Sequence, residues 1–539
     1  MCFEIRCRDL LARLGRIKTK SGTIETPILL PVINPAIQPI SPKKMKDEFG
    51  CNALITNAYI VKNQSGKEAV DRSLHKLLDF DGIIMTDSGA YQILVYGKVD
   101  VTPAEIVNYQ EKISTDIATI LDIPTSWQAT EEYAKQTVEE TVKRARQLVK
   151  LKTRDDILWV APIQGGQHLD LVAYSAKQVG KLPFQIHALG SPTTIMEQYL
   201  FDKLVDMILT AKMNMPLQRP LHLFGAGHPF MFALAVASGC DMFDSAAYAI
   251  YARESRYMTE YGTRKLDELE YFPCSCPICT KSDPEDMTQM PKQEKQENLA
   301  RHNLYTSFAE LKRVKQAITE GRLWEYLEMR AHTHPALFQA VKQLRKYENY
   351  IECHSPATKK SGLFFFGNIG LMRPEVVRYK NWLRERYLPP REAKVLILIP
   401  SPSKKPFHKA KEVKALVKKV QEKLPELHTM FHICVYAAPF GVIPLELNEV
   451  YPLSQHEIGA PLDLETIEYV AEQVGDYVAA YPYKQVLLIE DFQVCRDDVS
   501  RVCRHIRRKD LSITLLRLEE TFSESVLSDI IETLRKLVV

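Results

Sequence analysis

No apolar run in this sequence is long enough to cross a bilayer. Its first residues, MCFEIRCRDLLARLG, lack the charged, apolar and small-residue regions of a secretion signal. Without either feature, the expected compartment is the cytoplasm, with no membrane partner. There, the eleven cysteines are expected as thiols and metal ligands, not disulfides. An excess of one charge is lacking too. The formal net charge is +3, so any surface for nucleic acid must be local. No strong short-period repeat and no extended low-complexity segment occurs. What is present is ordinary for a globular chain, at 45% hydrophobic and 25% charged residues. The length of 539 residues leaves room for roughly two to four domains.

The first part of the chain repeats one theme, a short apolar run ending in a polar or glycine-rich turn. The runs are ILLPVIN ending at Asn34, ALITNA at Asn57, GIIMTDSG at Asp87 and IATILDIPT at Asp122. They continue with ILWVAPIQGG at Gln164, PFQIHALGSP at Gly190, PLHLFGAGHP at His228 and MFDSAAY at Asp244. Helical patterns separate several of them. Between Glu131 and Lys152, Val138, Val142, Ala145 and Val149 recur at helical spacing. Eight β-like runs with helical connectors predict an α/β fold, a (β/α)₈ TIM barrel. A doubly wound open sheet would gather its functional residues at one switch point. Here polar residues end nearly every run, which favours the barrel.

The densest signal lies later. Cys274, Cys276 and Cys279 form C-x-C-x-x-C in PCSCPIC, and His302 heads the helical pattern LARHNLYTSFAEL. Three thiolates and one imidazole make a closed tetrahedral zinc site with no position for water, hence a structural one. The polar stretch Thr280–Asn298 between them reads as a solvated excursion. Helical pattern then runs to about Tyr350, and SPATKKSG near Ser355 reads as a linker. Beyond it KVLILIP, HICVYAAPFG, QVLLIED and SITLLRL read as buried parallel strands of a smaller α/β domain. The expected domains are therefore 1–350, with a zinc subdomain at about 270–310, and 361–539.

Three aspartates stand at run ends: Asp87 in IMTDSGAYQ, Asp122 in ILDIPTSW and Asp244 in CDMFDSAAY. Each alone suits a helix N-cap. On one barrel rim they make a carboxylate pocket, in which one carboxylate can attack an anomeric carbon while another moves a proton. A third can recognise a base through its N–H donors. Gln164-Gly165-Gly166 and Gly190-Ser191-Pro192 add loops that let a planar ligand approach the backbone. Tyr91 can stack on a base, though a core tyrosine fits the sequence equally.

These segments resemble the archaeal tRNA-guanine transglycosylase family of archaeosine biosynthesis. The resemblance is carried by TDSGAYQILVYGKVDVTPAEIV, ILDIPT, APIQGG, HALGSP, FGAGHP, GCDMFDSAAY, GTRKLDELEYFPCSCPIC and ARHNLY, in family order, across residues 1 to about 350. It implies a barrel with an inserted zinc subdomain and a pentosyltransferase activity. Guanine at position 15 of the tRNA D-loop would be exchanged for 7-cyano-7-deazaguanine (preQ0). Asp244 would be the nucleophile and Asp87 the general acid/base. Asp122, Gln164 and Gly190 would hold the base, and Tyr91 would stack on it. Cys274, Cys276, Cys279 and His302 would bind one structural zinc ion. The family's tendency to dimerise through the zinc subdomain makes a homodimer the expectation.

FFFGNIGLMRPEVVRYKNWL and APFGVIPLELNEVYPLSQHE resemble the accessory domain of the archaeal enzymes. Those enzymes usually add a C-terminal PUA domain. This sequence ends at ETLRKLVV, so either a separate PUA-containing polypeptide completes the enzyme or acceptor-stem binding is weaker. The alternatives are a non-catalytic tRNA-binding subunit or the related archaeosine-forming amidinotransferase. Presence of both Asp87 and Asp244 disfavours them. A tRNA partner needs phosphate contacts, and position 15 is reached only by remodelling the tRNA. Basic candidates are Arg253 and Arg256, Lys342, Arg345 and Lys346, Lys359 and Lys360, and Arg504, Arg507, Arg508 and Lys509. Each cluster also suits a solvated helix face; Arg253 and Arg256 are favoured by closeness to Asp244.

Overall fold

A computed structural model describes residues 3–90, 100–491, 512–518 and 523–538. The chain divides into two compact units, Met1–Tyr350 and Ile351–Val539. The first opens with an antiparallel sheet of β1 (Phe3–Asp9), β2 (Ala12–Lys18) and β3 (Thr23–Thr26). Eight parallel strands follow: β4 (Ile28–Ile33), β5 (Ala53–Asn57), β6 (Ile83–Asp87) and β7 (Ile117–Thr119), then β8 (Leu158–Ile163), β9 (Ile186–Leu189), β10 (Leu221–Leu223) and β11 (Met242–Ser245). They close into a barrel, with β11 pairing β4. Each strand coincides with one of the eight apolar runs, so the predicted TIM barrel is the observed fold. The three-stranded sheet had no counterpart among those runs.

Strand alternation decides which side chains enter the barrel. On β5 Ala53 and Ile55, and on β6 Ile83 and Met85, join Leu30, Ile117, Val160, Ile186, Ala188 and Met242 in one buried cluster. Phe3, Ile17 and Ile24 of the first sheet complete that cluster. The intervening Leu54 and Ile84 belong to a second cluster with residues of the surrounding helices. In the helix Glu131–Leu151 the buried stripe is Ala134, Val138, Val142, Ala145 and Leu148, while Val149 is exposed. At 3.6 residues per turn the stripe passes through Leu148, which corrects the expectation for Val149.

The first sheet is tied to the barrel by one buried ion pair. Arg13 Nε donates to Asp241 Oδ1 at 2.9 Å, and Arg13 also donates to the backbone oxygens of Leu217 and Arg219. Asp241 Oδ2 accepts from Leu221 N at 2.8 Å, just where β10 begins.

The stretch after Cys279 is mostly exposed, as expected of a solvated excursion, and it is helical. Helix Pro284–Gln289 is capped by Asp283, and helix Lys292–Glu320 starts well before His302. Met287 is fully buried, because the polar residues face outward around one apolar contact. A hairpin of β12 (Arg256–Thr259) and β13 (Gly262–Lys265) precedes the cysteines. Among the described residues no helix is long and apolar enough to cross a membrane.

In the second unit β14 (Leu363–Phe365) precedes the strand β15 (Val395–Pro400). Then come β16 (Phe431–Ala437), β17 (Gly441–Pro444), β18 (His456–Ile458), β19 (Gln485–Asp491) and β20 (Ile513–Leu518). The main sheet has the order β17-β16-β15-β19-β20, parallel except for β17, and β14 pairs β18. The four apolar runs expected as parallel strands are β15, β16, β19 and β20. The SPATKKSG stretch is fastened inside this unit. Arg378 donates to Glu352 Oε1 at 2.7 Å and to the carbonyls of Ser355 and Pro356 at 3.0 and 2.9 Å. Lys359 pairs with buried Glu375 at 3.0 Å, so it is not an available phosphate contact.

Replacing Arg13 by methionine leaves buried Asp241 without its ion-pair partner. The first unit should lose about 3–5 kcal/mol, read as a lowered urea midpoint for its unfolding transition. A loss under about 1 kcal/mol would show that the pair does not hold the barrel floor.

Candidate active site and metal centre

Interior parity carries up each strand to the C-terminal rim. Asn57 and Asp87 share the inward parity of Ile55 and Met85, Gln164 that of Val160, Gly190 that of Ala188, and Asp244 that of Met242. Asp87 ends β6, Gln164 follows β8, Gly190 follows β9, and Asp244 lies in β11. Asp122 reaches the mouth from the loop after β7.

Neither Asp122 nor Asp244 is a helix cap. The helices that follow them have Thr130 and Ala246 at their N-cap positions. Asp122 is buried, and its Oδ2 accepts from Gln164 Nε2 at 2.5 Å. Gln164 Oε1 in turn accepts from Thr125 N at 3.0 Å. Asp244 Oδ1 accepts from His222 Nε2 at 2.8 Å and from Gly225 N at 3.0 Å. Asp87 Oδ2 accepts from Asn57 Nδ2 at 3.1 Å, across the β5–β6 register, and from Gly89 N at 3.3 Å. Gly190 must lack a side chain, because a Cβ there would lie 2.2 Å from Gln164 Nε2.

Asp87 feels the other two carboxylates. Burial, then the negative charges of Asp122 and Asp244, push Asp87 up to about 7. Burial also raises Asp122 to about 6, although the Gln164 amide and the Arg144 charge work the other way. A carboxyl near 7 can both give and take a proton at neutral pH. Asp87, Asp122, Gln164, Gly190 and Asp244 are thus brought to one mouth. Tyr91 lies outside the described residues, as do Arg504, Arg507, Arg508 and Lys509. Sequence reading missed His222, Asn57 and Gly225 as partners of the aspartates. Asn57 did carry a signal, as the last residue of its apolar run.

The second centre lies in the segment after β13. Ligand atoms of Cys274, Cys276, Cys279 and His302 all fall within 4.8 Å of one another. The Cys276 and Cys279 sulfurs are 3.5 Å apart, and His302 Nδ1 lies 3.6 and 3.3 Å from them. Tetrahedral edges around an ion with metal–sulfur bonds of about 2.3 Å are roughly 3.8 Å, so the group could hold a metal ion. His302 Nε2 donates to Met258 O at 2.8 Å, which leaves Nδ1 for the ion. The Tyr257 ring stacks on His302 at 3.6 Å.

Next to His302, Asn303 joins this centre to the barrel rim. Its Oδ1 accepts from Met258 N at 2.9 Å, and its Nδ2 donates to Tyr248 O at 3.2 Å. Tyr248 stands in the helix just after Asp244 and donates its hydroxyl to Val32 O of β4 at 3.0 Å. Of the favoured basic pair, Arg253 is exposed, whereas Arg256 lies over the Tyr251 ring and donates to Thr263 Oγ1 at 2.8 Å.

Known proteins are similar to this chain over most of its length. The sequence profile of the queuine tRNA-ribosyltransferase family matches residues 7–336, and that of a domain of unknown function, DUF5591, matches residues 376–534. The tRNA-guanine(15) transglycosylase of Saccharolobus solfataricus is 42% identical over 496 residues, covering 90% of this chain and 96% of the relative. The protein of that name in Methanocaldococcus jannaschii is 42% identical, over 86% of this chain and 70% of the relative. Its counterpart in Pyrobaculum aerophilum is 43% identical, over 85% and 90%. With such similarity along most of its length, the chain belongs to the queuine tRNA-ribosyltransferase family.

Proposed function

We infer that this chain is a tRNA-guanine transglycosylase that replaces guanine at position 15 of the tRNA D-loop with preQ0. The observation that carries this reading is the convergence of three carboxylates, each with different donors, on the mouth of a barrel whose relatives bear that name. Asp244 attacks C1′ of the guanosine ribose. The Asp244 O–C1′ bond forms as the C1′–N9 bond breaks, and the bond's electron pair leaves with guanine. Guanine takes up the proton held by Asp87. In the second half, Asp87 removes the proton from N9 of preQ0, N9 attacks C1′, and the Asp244 carboxylate is released. Charge in the oxocarbenium-like transition state is stabilised by the nearby carboxylates. The covalent ester keeps the bond energy of the glycoside, so no ATP is needed.

Asp122, held by Gln164, faces the N–H donors of the base, and Gly190 leaves room for its plane. Tyr91 follows Asp87 closely enough in sequence to serve as a stacking wall. The Cys274, Cys276, Cys279 and His302 group is read as a zinc site. The thiolate-rich donor set and the closed count of four protein ligands support a structural ion. A bound ion would rigidify the segment that Asn303 fastens to the helix behind Asp244. Association as a homodimer is part of the same proposal.

Wild-type protein should incorporate radiolabelled guanine into tRNA, and Asp244→Asn should abolish both exchange and the covalent adduct on a denaturing gel. Absent exchange, or exchange indifferent to Asp244→Asn, would refute the reading. Single-turnover adduct formation should need protonated Asp87. Its rate should fall roughly tenfold per unit well above pH 7; Asp87→Asn should be slow throughout. Elemental analysis should find one zinc per chain, lost in Cys276→Ala together with a lowered melting temperature. Another metal at full occupancy in active protein would reject the zinc assignment.

A further inference from the structure

Resting on that reading, we propose that His222 is a positioning residue that, with Gly225, holds Asp244 Oδ1 and thereby makes Oδ2 the attacking oxygen. In water the two oxygens of a carboxylate are equivalent. In this barrel they are not. His222 Nε2 and Gly225 N both point at Oδ1, at 2.8 and 3.0 Å. Among the described residues, none donates a hydrogen bond to Oδ2. The Asp244 side chain keeps 13% of its surface open while His222 is fully enclosed. The unheld oxygen is therefore the one available to a ligand in the mouth.

The histidine is built for one contact. It stands on β10, in register with Ala188 of β9 and Met242 of β11, both of which line the apolar interior. The Phe224 ring packs against it at 4.6 Å. A carboxylate accepts and cannot donate, so Nε2 carries the proton of the Asp244 contact. The other ring nitrogen, Nδ1, is buried and has no hydrogen-bond partner among the described residues. Among the described residues the ring's hydrogen bond to another side chain is therefore the one through Nε2. A leucine would fill this interior site as readily as its neighbours do. The imidazole's distinct contribution is a donor aimed at the carboxylate.

Two consequences follow for the exchange. The donors fix the carboxylate plane, so an Oδ2 lone pair is aimed at C1′ before the substrate arrives. They also remain bonded throughout. After attack Oδ1 becomes the ester carbonyl oxygen, and when the incoming base displaces Oδ2 the returning charge is shared with Oδ1, where both donors wait. His222 should therefore act on both half-reactions and barely on substrate binding.

The test compares His222→Leu with His222→Gln, whose side-chain amide can return an N–H near the Nε2 position. For His222→Leu, kcat for guanine exchange should fall roughly 10- to 100-fold, with KM for tRNA within about twofold. His222→Gln should recover most of the loss. An unchanged kcat in His222→Leu would overturn the proposal. So would equal losses in both variants with unchanged melting temperatures. A separate measurement needs no variant: a crystal structure of the wild-type adduct on tRNA. The ester should run through the oxygen remote from His222, with the other within about 3.2 Å of His222 Nε2; an ester through the His222-facing oxygen overturns the proposal. If wild-type protein exchanges no guanine, the functional reading itself has failed. If it exchanges guanine and Asp244→Asn does not, while the His222 variants are normal, only this proposal has failed.

Discussion

A β-strand turns its side chains to opposite faces in strict alternation, and a closed barrel makes one of those faces the interior. That constraint governs this protein. The residues that carry Ile55, Met85, Val160, Ala188 and Met242 into the apolar core also carry Asn57, Asp87, Gln164, Gly190 and Asp244 to the mouth. A slip of one residue on any of these strands would turn its rim residue outward and break the packing beneath it. The functional arrangement and the hydrophobic core are thus one commitment. The apolar floor, completed by Phe3, Ile17 and Ile24, also keeps the carboxylates over a dry base.

Dryness sets the electrostatics. Asp122 and Asp244 act on Asp87 in one low-dielectric mouth, and each carboxylate has its own donors. Gln164 serves Asp122, His222 and Gly225 serve Asp244, and Asn57 and Gly89 serve Asp87. Asp87 remains the group that feels both neighbours, and its affinity for a proton rises to match neutral pH. The Cys/His group, which could hold a metal ion, stands apart from this chemistry. Its contribution passes through Asn303 and Tyr248 to the segment behind Asp244 and to β4, so that segment is braced from both sides.

Legibility followed the range of the forces involved. The eight barrel strands were readable because each is a compact apolar run bounded by a turn. The Cys/His group was readable because ligand chemistry restricts residue type. Where polar residues hide a single deep contact, pattern reading failed. The run around Met287 looked solvated and is mostly exposed, yet its one fully buried methionine was not foreseen. Lys359 looked like part of a basic surface, yet Glu375 holds it inside the second unit. The SPATKKSG stretch looked like a linker, yet Arg378, distant in sequence, fastens its start. The first three-stranded sheet has mixed, half-exposed strands, whose composition differs little from that of loops.

By itself the sequence determined the barrel, the second α/β layer, the Cys/His group that could hold a metal ion and the aspartates at or just beyond their strands' C-terminal ends. Those are local facts, written in periodicity and residue type. Only the tertiary structure decided which carboxylate oxygen is held, which aspartates carry a raised proton affinity, and that His222 reaches Asp244 from the adjacent strand. Hydrogen-bond direction and desolvation depend on groups brought together by strand register across the closed sheet, and no local pattern encodes them.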